Sequence, residues 1–371
     1  MENIPLSLYI HFPWCIKKCP YCDFNSLEIQ SDTSISEYVS ALGSDLKSEL
    51  VNEQRDELVS IFLGGGTPSL IPGKELNALF KSIGSKFDFL NTEITIEANP
   101  GSSEFSNFRD YKILGVNRLS IGAQTFDERA LEKIGRIHNS SDINNAFDLA
   151  RKAYFENINV DIMYGLPDQT TAEAIDDLDK AIALDPEHIS WYELTIEPNT
   201  LFFKNPPKVP SDIKKERMFE AGTEKLLAAG YAQYEISAYA KEGKQSKHNT
   251  NYWEFGDYLG IGAGAHGKLT KANEVKRTKK TRNPRDYLKN RQSRVRKVNS
   301  EELMTEFLMN ALRLTSGFDL SLFEQRCHQS RSHLEPFMLR ALDKKFINVE
   351  KDRIIPTKKG SLFLNELVLL A

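Results

Sequence analysis

The chain has 371 residues, enough for two or three domains each with its own core, and its 40% hydrophobic and 27% charged content is that of an ordinary water-soluble globular protein. A formal net charge of −4 excludes a global electrostatic drive toward nucleic acid or membrane. No apolar run nears the roughly 18 residues of a membrane span, the start Met1-Glu2-Asn3-Ile4-Pro5 lacks a signal-peptide pattern, and three clustered cysteines plus a lone Cys327 form no disulfide framework, so a reducing, cytoplasmic setting is expected.

From Leu6 to about Thr195 short apolar runs alternate with helical patterns. Strands are expected at Leu6–Phe12, Ser60–Leu63, Glu93–Glu97, Arg118–Ile121, Asn157–Met163 and His188–Leu194. Between them Ile35, Tyr38, Val39, Leu42 and Leu46, and then Leu76, Leu79, Phe80 and Ile83, recur at helical spacing. Strand–helix repeats with helices on one side predict an α/β fold, a parallel sheet curling into a partial (β/α)6 barrel. Directly after the first strand come Cys15, Cys19 and Cys22, spaced C-x3-C-x2-C. Thiolates suit iron–sulfur clusters and zinc. A 4Fe-4S cluster normally takes four cysteines, so three leave one iron open; alternatively His11 could complete a Cys3His zinc site.

In such barrels the chemistry collects at the C-terminal strand ends. Those ends carry Gly64-Gly65-Gly66-Thr67-Pro68, Glu97-Ala98-Asn99-Pro100, Gly122-Ala123-Gln124, and Asp161 followed by Tyr164-Gly165-Leu166-Pro167. A triple glycine alone marks a tight turn; its weight comes from lying in register with the cysteine loop.

Beyond Thr195 the repeat stops. Pro198, Pro206, Pro207 and Pro210 mark a connector, Asp212–Ala229 reads as a charged amphipathic helix, and Tyr231–Tyr239 as a further strand. His248-Asn249-Thr250-Asn251-Tyr252-Trp253 and a glycine-rich run, Gly260 to Gly267, come next. Lys268 to Lys297 is strongly basic, opposed by Glu274 and Asp286, and reads as an anion or partner site or as a solvated face. In the last unit Leu303, Phe307, Leu308 and Leu312 are helically spaced, Pro336–Leu342 forms a second helix and Phe346–Pro356 a hairpin, which resembles a winged helix. Its acidic residues interrupt any basic stripe, so no nucleic-acid partner is expected; packing against the barrel is, with Leu362–Leu370 closing the core. The expected domains are 1–235 (barrel core), 236–299 (connecting region) and 300–371 (winged-helix-like unit).

The cysteine loop, the glycine turn, Tyr-Gly-Leu-Pro and the strand-end residues together resemble the oxygen-independent coproporphyrinogen III oxidase (dehydrogenase)-like branch of the radical S-adenosylmethionine (SAM) superfamily, over essentially the whole chain. The resemblance implies that Cys15, Cys19 and Cys22 bind three irons of a 4Fe-4S cluster while SAM chelates the fourth. It further implies that Tyr9, Gly65, Gly66, Thr67, Glu97, Gln124, Arg136, Asp161 and Thr195 line the SAM site. There the glycine-turn backbone approaches the methionine moiety, an acid suits the ammonium, an arginine the carboxylate, and Gln or Asp the ribose hydroxyls.

Three features point within that branch to its heme-chaperone members. Phe24 stands where the true dehydrogenases carry a further cysteine, little chain precedes Tyr9, and His248–Tyr252 matches the H-N-x-x-Y motif of the chaperones. Resemblance to those members implies a protein that binds heme and passes it to acceptor proteins, respiratory ones among them, with an electron donor for its cluster and at most peripheral membrane contact. The alternative is a coproporphyrinogen III dehydrogenase of porphyrin metabolism, whose activity is not expected. His248 is the leading heme-binding candidate, with Tyr252 on its face one turn on if the segment is helical, and His266 as a second candidate ligand. Lys241, Lys244 and Lys247 could meet the propionates.

Overall fold

In the computed structural model, which describes residues 4–101 and 107–371, the first strand already carries the pattern of the whole sheet. In β1 (Leu6–Phe12), Leu6, Leu8, Ile10 and Phe12 alternate with Ser7, Tyr9 and His11, and burial extends to both sets. The strands β2 (Ser60–Gly65), β3 (Glu93–Ala98), β4 (Arg118–Gln124), β5 (Ile158–Tyr164) and β6 (His188–Glu193) run parallel to it, in chain order. Their inward residues are polar and bonded across strands: Ser60 to Ser7 at 2.8 Å, Asn159 to Ser120 at 2.7 Å and His188 to Asn159 at 2.6 Å. All six expected strands are present. β2 and β4 run beyond their expected ends into Gly65 and Gln124, which both leave regular strand geometry at positive φ.

The intervening helices cover the apolar outer face. Helix Ile35–Glu49, capped by Ser34, buries Tyr38, Val39, Leu42 and Leu46; helix Gly73–Gly84 buries Leu76, Leu79, Phe80 and Ile83. Capping boxes at Asn139 with Asp142 and at Thr170 with Glu173 start the helices Ser140–Lys152 and Thr171–Ala183.

The expected strand Tyr231–Tyr239 is instead a hairpin, β7 (Ala232–Glu235) and β8 (Ala238–Ala240). Ser237 breaks it, because its amide and hydroxyl both bond the Glu235 carboxylate, at 3.2 and 2.9 Å. β8 pairs antiparallel with β6. At the other edge β9 (Asp257–Ile261) pairs in parallel with β1, and β10 (His266–Lys271), β11 (Glu274–Lys279) and β12 (Arg294–Lys297) continue antiparallel. Residues 236–299 thereby extend both edges of one mixed sheet, of twelve strands among the described residues, in the order β12-β11-β10-β9-β1-β2-β3-β4-β5-β6-β8-β7.

The basic segment is not uniformly a solvated face. Lys268 and Lys280 are buried: Lys268 pairs with Asp257 at 3.0 Å, and Lys280 with Asp45 and, at 2.6 Å, with Glu49. β12 remains exposed along its length.

The helices Ser300–Ala311, Leu320–Cys327 and Glu335–Asp343 pack with a small sheet of β13 (Phe318–Asp319), β14 (Ile347–Glu350) and β15 (Arg353–Pro356) around Phe307, Phe318, Phe323 and Phe337. This is the winged-helix-like unit, and Arg277–Glu306 (2.7 Å) and Arg313–Glu235 (3.2 Å) tie it to the barrel sheet. Leu367 joins its core, whereas Leu362 and Leu369 are exposed. Among the described residues no helix is long and apolar enough to cross a membrane.

Candidate functional site

At the C-terminal strand ends lies a cavity of about 440 Å³. Cys15, Cys19, Cys22, Gly65, Gly66, Thr67, Glu97, Gln124, Arg136, Asp161 and Thr195 all line it. The cysteine loop is held by backbone bonds from Leu27 N–H to Pro13 O (2.8 Å) and from Ile29 N–H to Cys15 O (2.9 Å), and by Lys18 Nζ on the carbonyls of Phe24 and Ser26. The glycine turn docks directly on it: Gly66 N–H bonds Phe12 O and Thr67 N–H bonds Trp14 O, each at 2.7 Å. A Cβ on residue 66 would lie 2.4 Å from Trp14 O, so glycine is required there. Gly65 N–H goes to Glu97 Oε2 at 3.0 Å. The amides of Gly65, Gly66 and Thr67 are thus already engaged. The glycines permit close approach of the cysteine loop, and Gly65, Gly66 and Thr67 still present backbone to the cavity.

Burial pushes the Cys15 thiol up to about 11, and raises that of Cys22. Among the described residues no three His, Cys, Asp or Glu side chains converge on a single-ion site. The zinc alternative through His11 is not built: its ring is bonded to Tyr9 Oη and Asn25 O, both at 2.9 Å. Three thiols around one cavity, without a common focus, suit a cluster in which each iron takes one thiolate.

The remaining wall is charged and buried. Desolvation, with Asp161 nearby, pushes Glu97 up to about 8 against the pull of Gly65 N–H, so it holds a proton at neutral pH until a cation arrives. Asp161 accepts from Ser120 Oγ (3.1 Å) and Asn159 Nδ2 (2.8 Å). Gln124 sits at φ +72°, where β4 breaks register, and accepts from Tyr192 Oη at 2.5 Å. Arg136 reaches Asn99 Oδ1 (2.9 Å), Gly122 O (2.5 Å) and Cys19 Sγ (3.7 Å), and its buried Nε has no partner. An orphaned guanidinium N–H beside the thiols fits an anionic ligand group such as the SAM carboxylate. Thr195 stands exposed at the rim.

Tyr9 is the exception: it lines a second, adjoining cavity of about 500 Å³. Its ring stacks on Phe62 and its hydroxyl bonds His11, beside Gly65 and Glu97 where the two cavities meet. The second cavity brings together His248, Tyr252 and His266 with Phe24, Phe62, Trp253 and Tyr258, and it shares Gly65, Glu97 and Phe24 with the first. His248 lies on helix Lys247–Trp253, which Ser246 caps and whose first two amides, of Lys247 and His248, both bond the buried Glu93 carboxylate at 3.1 Å. Its imidazole stacks on Phe62 at 4.8 Å. Burial, with the Arg118 charge adding, lowers it to about 3, so it stays neutral and able to ligate a metal. Tyr252 Oη accepts from Tyr258 Oη, which accepts from Arg277, at 2.9 and 2.8 Å. His266 is exposed at the mouth.

Lys241, Lys244 and Lys247 do not reach this cavity. Lys241 pairs with Asp185 at 2.5 Å, while Lys244 and Lys247 bond the carbonyls of Glu156 and Asn91 and line a separate cleft. The cations at the second cavity are Lys279 and Arg282, which the sequence does not single out. Their signal is the β10–β11 pairing, which sets Lys279 opposite His266 and is not visible before the hairpin is known.

Comparison with known proteins places this geometry. Residues 9–181 match the radical SAM superfamily and residues 298–363 the HemN C-terminal domain. The chain is 46% identical to the heme chaperone HemW of Haemophilus influenzae and 44% identical to that of Escherichia coli, in each case over 98% of this chain and 97% of the relative. Identity to the heme chaperone HemW of Bacillus subtilis is 36%, over 97% of both. Among solved structures, the coproporphyrinogen III oxidase HemN of Escherichia coli superposes with a TM-score of 0.84 over 99% of this chain and 90% of that one, at 22% identity, which establishes the fold. With full-length identity at this level, the chain belongs to the HemW family of radical SAM proteins.

Proposed function

We propose that the chain is a heme chaperone: it seats heme in the second cavity and hands it to acceptor proteins, respiratory ones among them, in the cytoplasm. The observation that carries this reading is the convergence of His248, Tyr252 and His266 on one aromatic cavity next to the cysteine cavity. A neutral His248 is a competent axial ligand, Phe24, Tyr252 and Trp253 line the cavity with aromatic surface for a macrocycle, and Lys279 and Arg282 at the wall suit propionates.

In the first cavity Cys15, Cys19 and Cys22 would hold a 4Fe-4S cluster, with Glu97, Gln124, Arg136 and Asp161 around a SAM molecule. When bound, that pair supplies one-electron chemistry. The chain's own part is to bury the site and to present Glu97 as a carboxyl that releases its proton when the SAM ammonium arrives. Residues 1–235 supply the cluster ligands and, with Tyr9, Phe24 and Phe62, part of the heme wall, to which 236–299 add His248, Tyr252 and His266.

The test is a heme titration of wild type, His248→Ala and His266→Ala, monitored at the Soret band, together with product analysis from coproporphyrinogen under a strong reductant. His248→Ala should shift the spectrum and weaken binding, with no decarboxylated product from any of the proteins. Failure of the wild type to bind heme, or multiple turnovers to protoporphyrinogen, would remove the chaperone reading.

A further inference from the structure

We propose that Ser60 is a positioning residue that sets the tautomer of His248, so that Nε2 presents a bare lone pair to the second cavity. The inference rests on the reading of that cavity as a heme site. Its basis is a short chain of buried polar groups drawn from three elements. Asn251, on the same helix as His248, donates from Nδ2 to Ser7 Oγ at 2.9 Å and to Asp257 O at 3.1 Å. Ser60 donates from Oγ to Ser7 Oγ at 2.8 Å. The same Ser60 Oγ lies 2.8 Å from His248 Nδ1.

A hydroxyl has one proton. Ser60 directs its proton to Ser7, so toward the imidazole it can only accept. With that bond direction Nδ1 carries the hydrogen, and a neutral imidazole with its hydrogen on Nδ1 has none on Nε2. The opposite tautomer would require Ser60 to turn its proton from Ser7 to Nδ1 and Ser7 to donate to Ser60 in its place, reversing the Ser60-to-Ser7 bond in a site where Ser7, Ser60 and Asn251 are at most 5% exposed. The ring cannot easily turn away from Ser60. Phe62 stacks against it, and Glu93 holds the backbone amide of His248 at 3.1 Å. Neutral imidazole is the iron-binding form, and the partner of the non-ligating nitrogen fixes ring orientation and basicity. Removing such a partner typically costs roughly 10–100-fold in metal affinity.

The test is a heme titration of the full-length chain as wild type, Ser60→Ala, Ser60→Thr, His248→Ala and the double variant, with the Soret and visible bands recorded alongside thermal melts. Ser60→Ala should weaken binding by roughly 10–100-fold and alter the axial-ligand bands. Ser60→Thr, which keeps the hydroxyl, should restore both, and Ser60→Ala should cost nothing further in the His248→Ala background. A wild-type spectrum and affinity in Ser60→Ala, or an equal loss in both His248 backgrounds, would overturn the proposal. Nitrogen-15 imidazole shifts of heme-free wild type read the tautomer directly, even if Ser60→Ala does not fold; protonated Nε2 on His248 would also overturn it. Unchanged heme binding in His248→Ala would instead remove His248 as the ligand, an outcome the tautomer measurement leaves separate.

Discussion

Gly66→Ala is the sharpest probe of how the glycine turn supports the cysteine loop. The new methyl group would sit 2.4 Å from Trp14 O and 2.7 Å from Trp14 C, both backbone atoms that no rotamer change can move aside. Relief requires the turn and the loop to separate, which strains the 2.7 Å bond from Thr67 N–H to Trp14 O. Overpacking of this kind costs about 1–3 kcal/mol, and a lost buried hydrogen bond about 1–3 kcal/mol more. A total near ~3 kcal/mol lowers the melting temperature by roughly 6–12 °C in a domain of 150–250 residues. The perturbed segment precedes Cys15 directly, so iron and sulfide content after anaerobic reconstitution should fall together with the melt. Gly43→Ala is the control. Its methyl group would meet Ser82 Oγ at 3.5 Å inside helix Ile35–Glu49, and alanine there should stabilise by about 0.5–1 kcal/mol. Wild-type melting and full cluster loading in Gly66→Ala would refute the reasoning.

Single Cys→Ala changes at Cys15, Cys19 or Cys22 should abolish stable cluster binding, whereas Cys327→Ala, in the core of the C-terminal unit, should retain it; iron and sulfide analysis decides. His248 is lowered to about 3 in the folded chain, so below its ordinary value of about 6.5 the unfolded chain takes up a proton that the folded chain refuses. Stability should therefore fall with pH, by ~2 kcal/mol more in wild type than in His248→Asn between pH 7.5 and 5 in urea titrations. Glu97, raised to about 8, acts in the opposite direction, losing stability as pH rises from about 4.5 to 8, and cancels between the two proteins. Lys280→Met strips the cation from buried Asp45 and should cost about 3–5 kcal/mol in urea unfolding; a loss below 1 kcal/mol would show the pair to be dispensable.

What the sequence determined by itself is what lies within one element or its immediate end. The C-x3-C-x2-C loop, the six strands, the glycine turn and the two helices marked by Ile35–Leu46 and Leu76–Ile83 come from side-chain periods of two and 3.6 and from thiol chemistry, all readable over a dozen residues. The helix under His248, Lys247–Trp253, is by contrast shown by the structure; in the sequence it is only a condition for placing Tyr252 one turn from His248. Tertiary structure decided whatever depends on pairing between distant segments. β9 pairs with β1 from about 250 positions away, and that contact brings the β10–β11 hairpin, with Lys279 opposite His266, to the second cavity. Tyr9 shows the limit at one residue: strand alternation sends it inward, but only the placement of Phe62 and His11 puts it in the wall of the second cavity. Ser60 has no sequence signal at all, because its role is a 2.8 Å contact with a side chain 188 positions further along the chain.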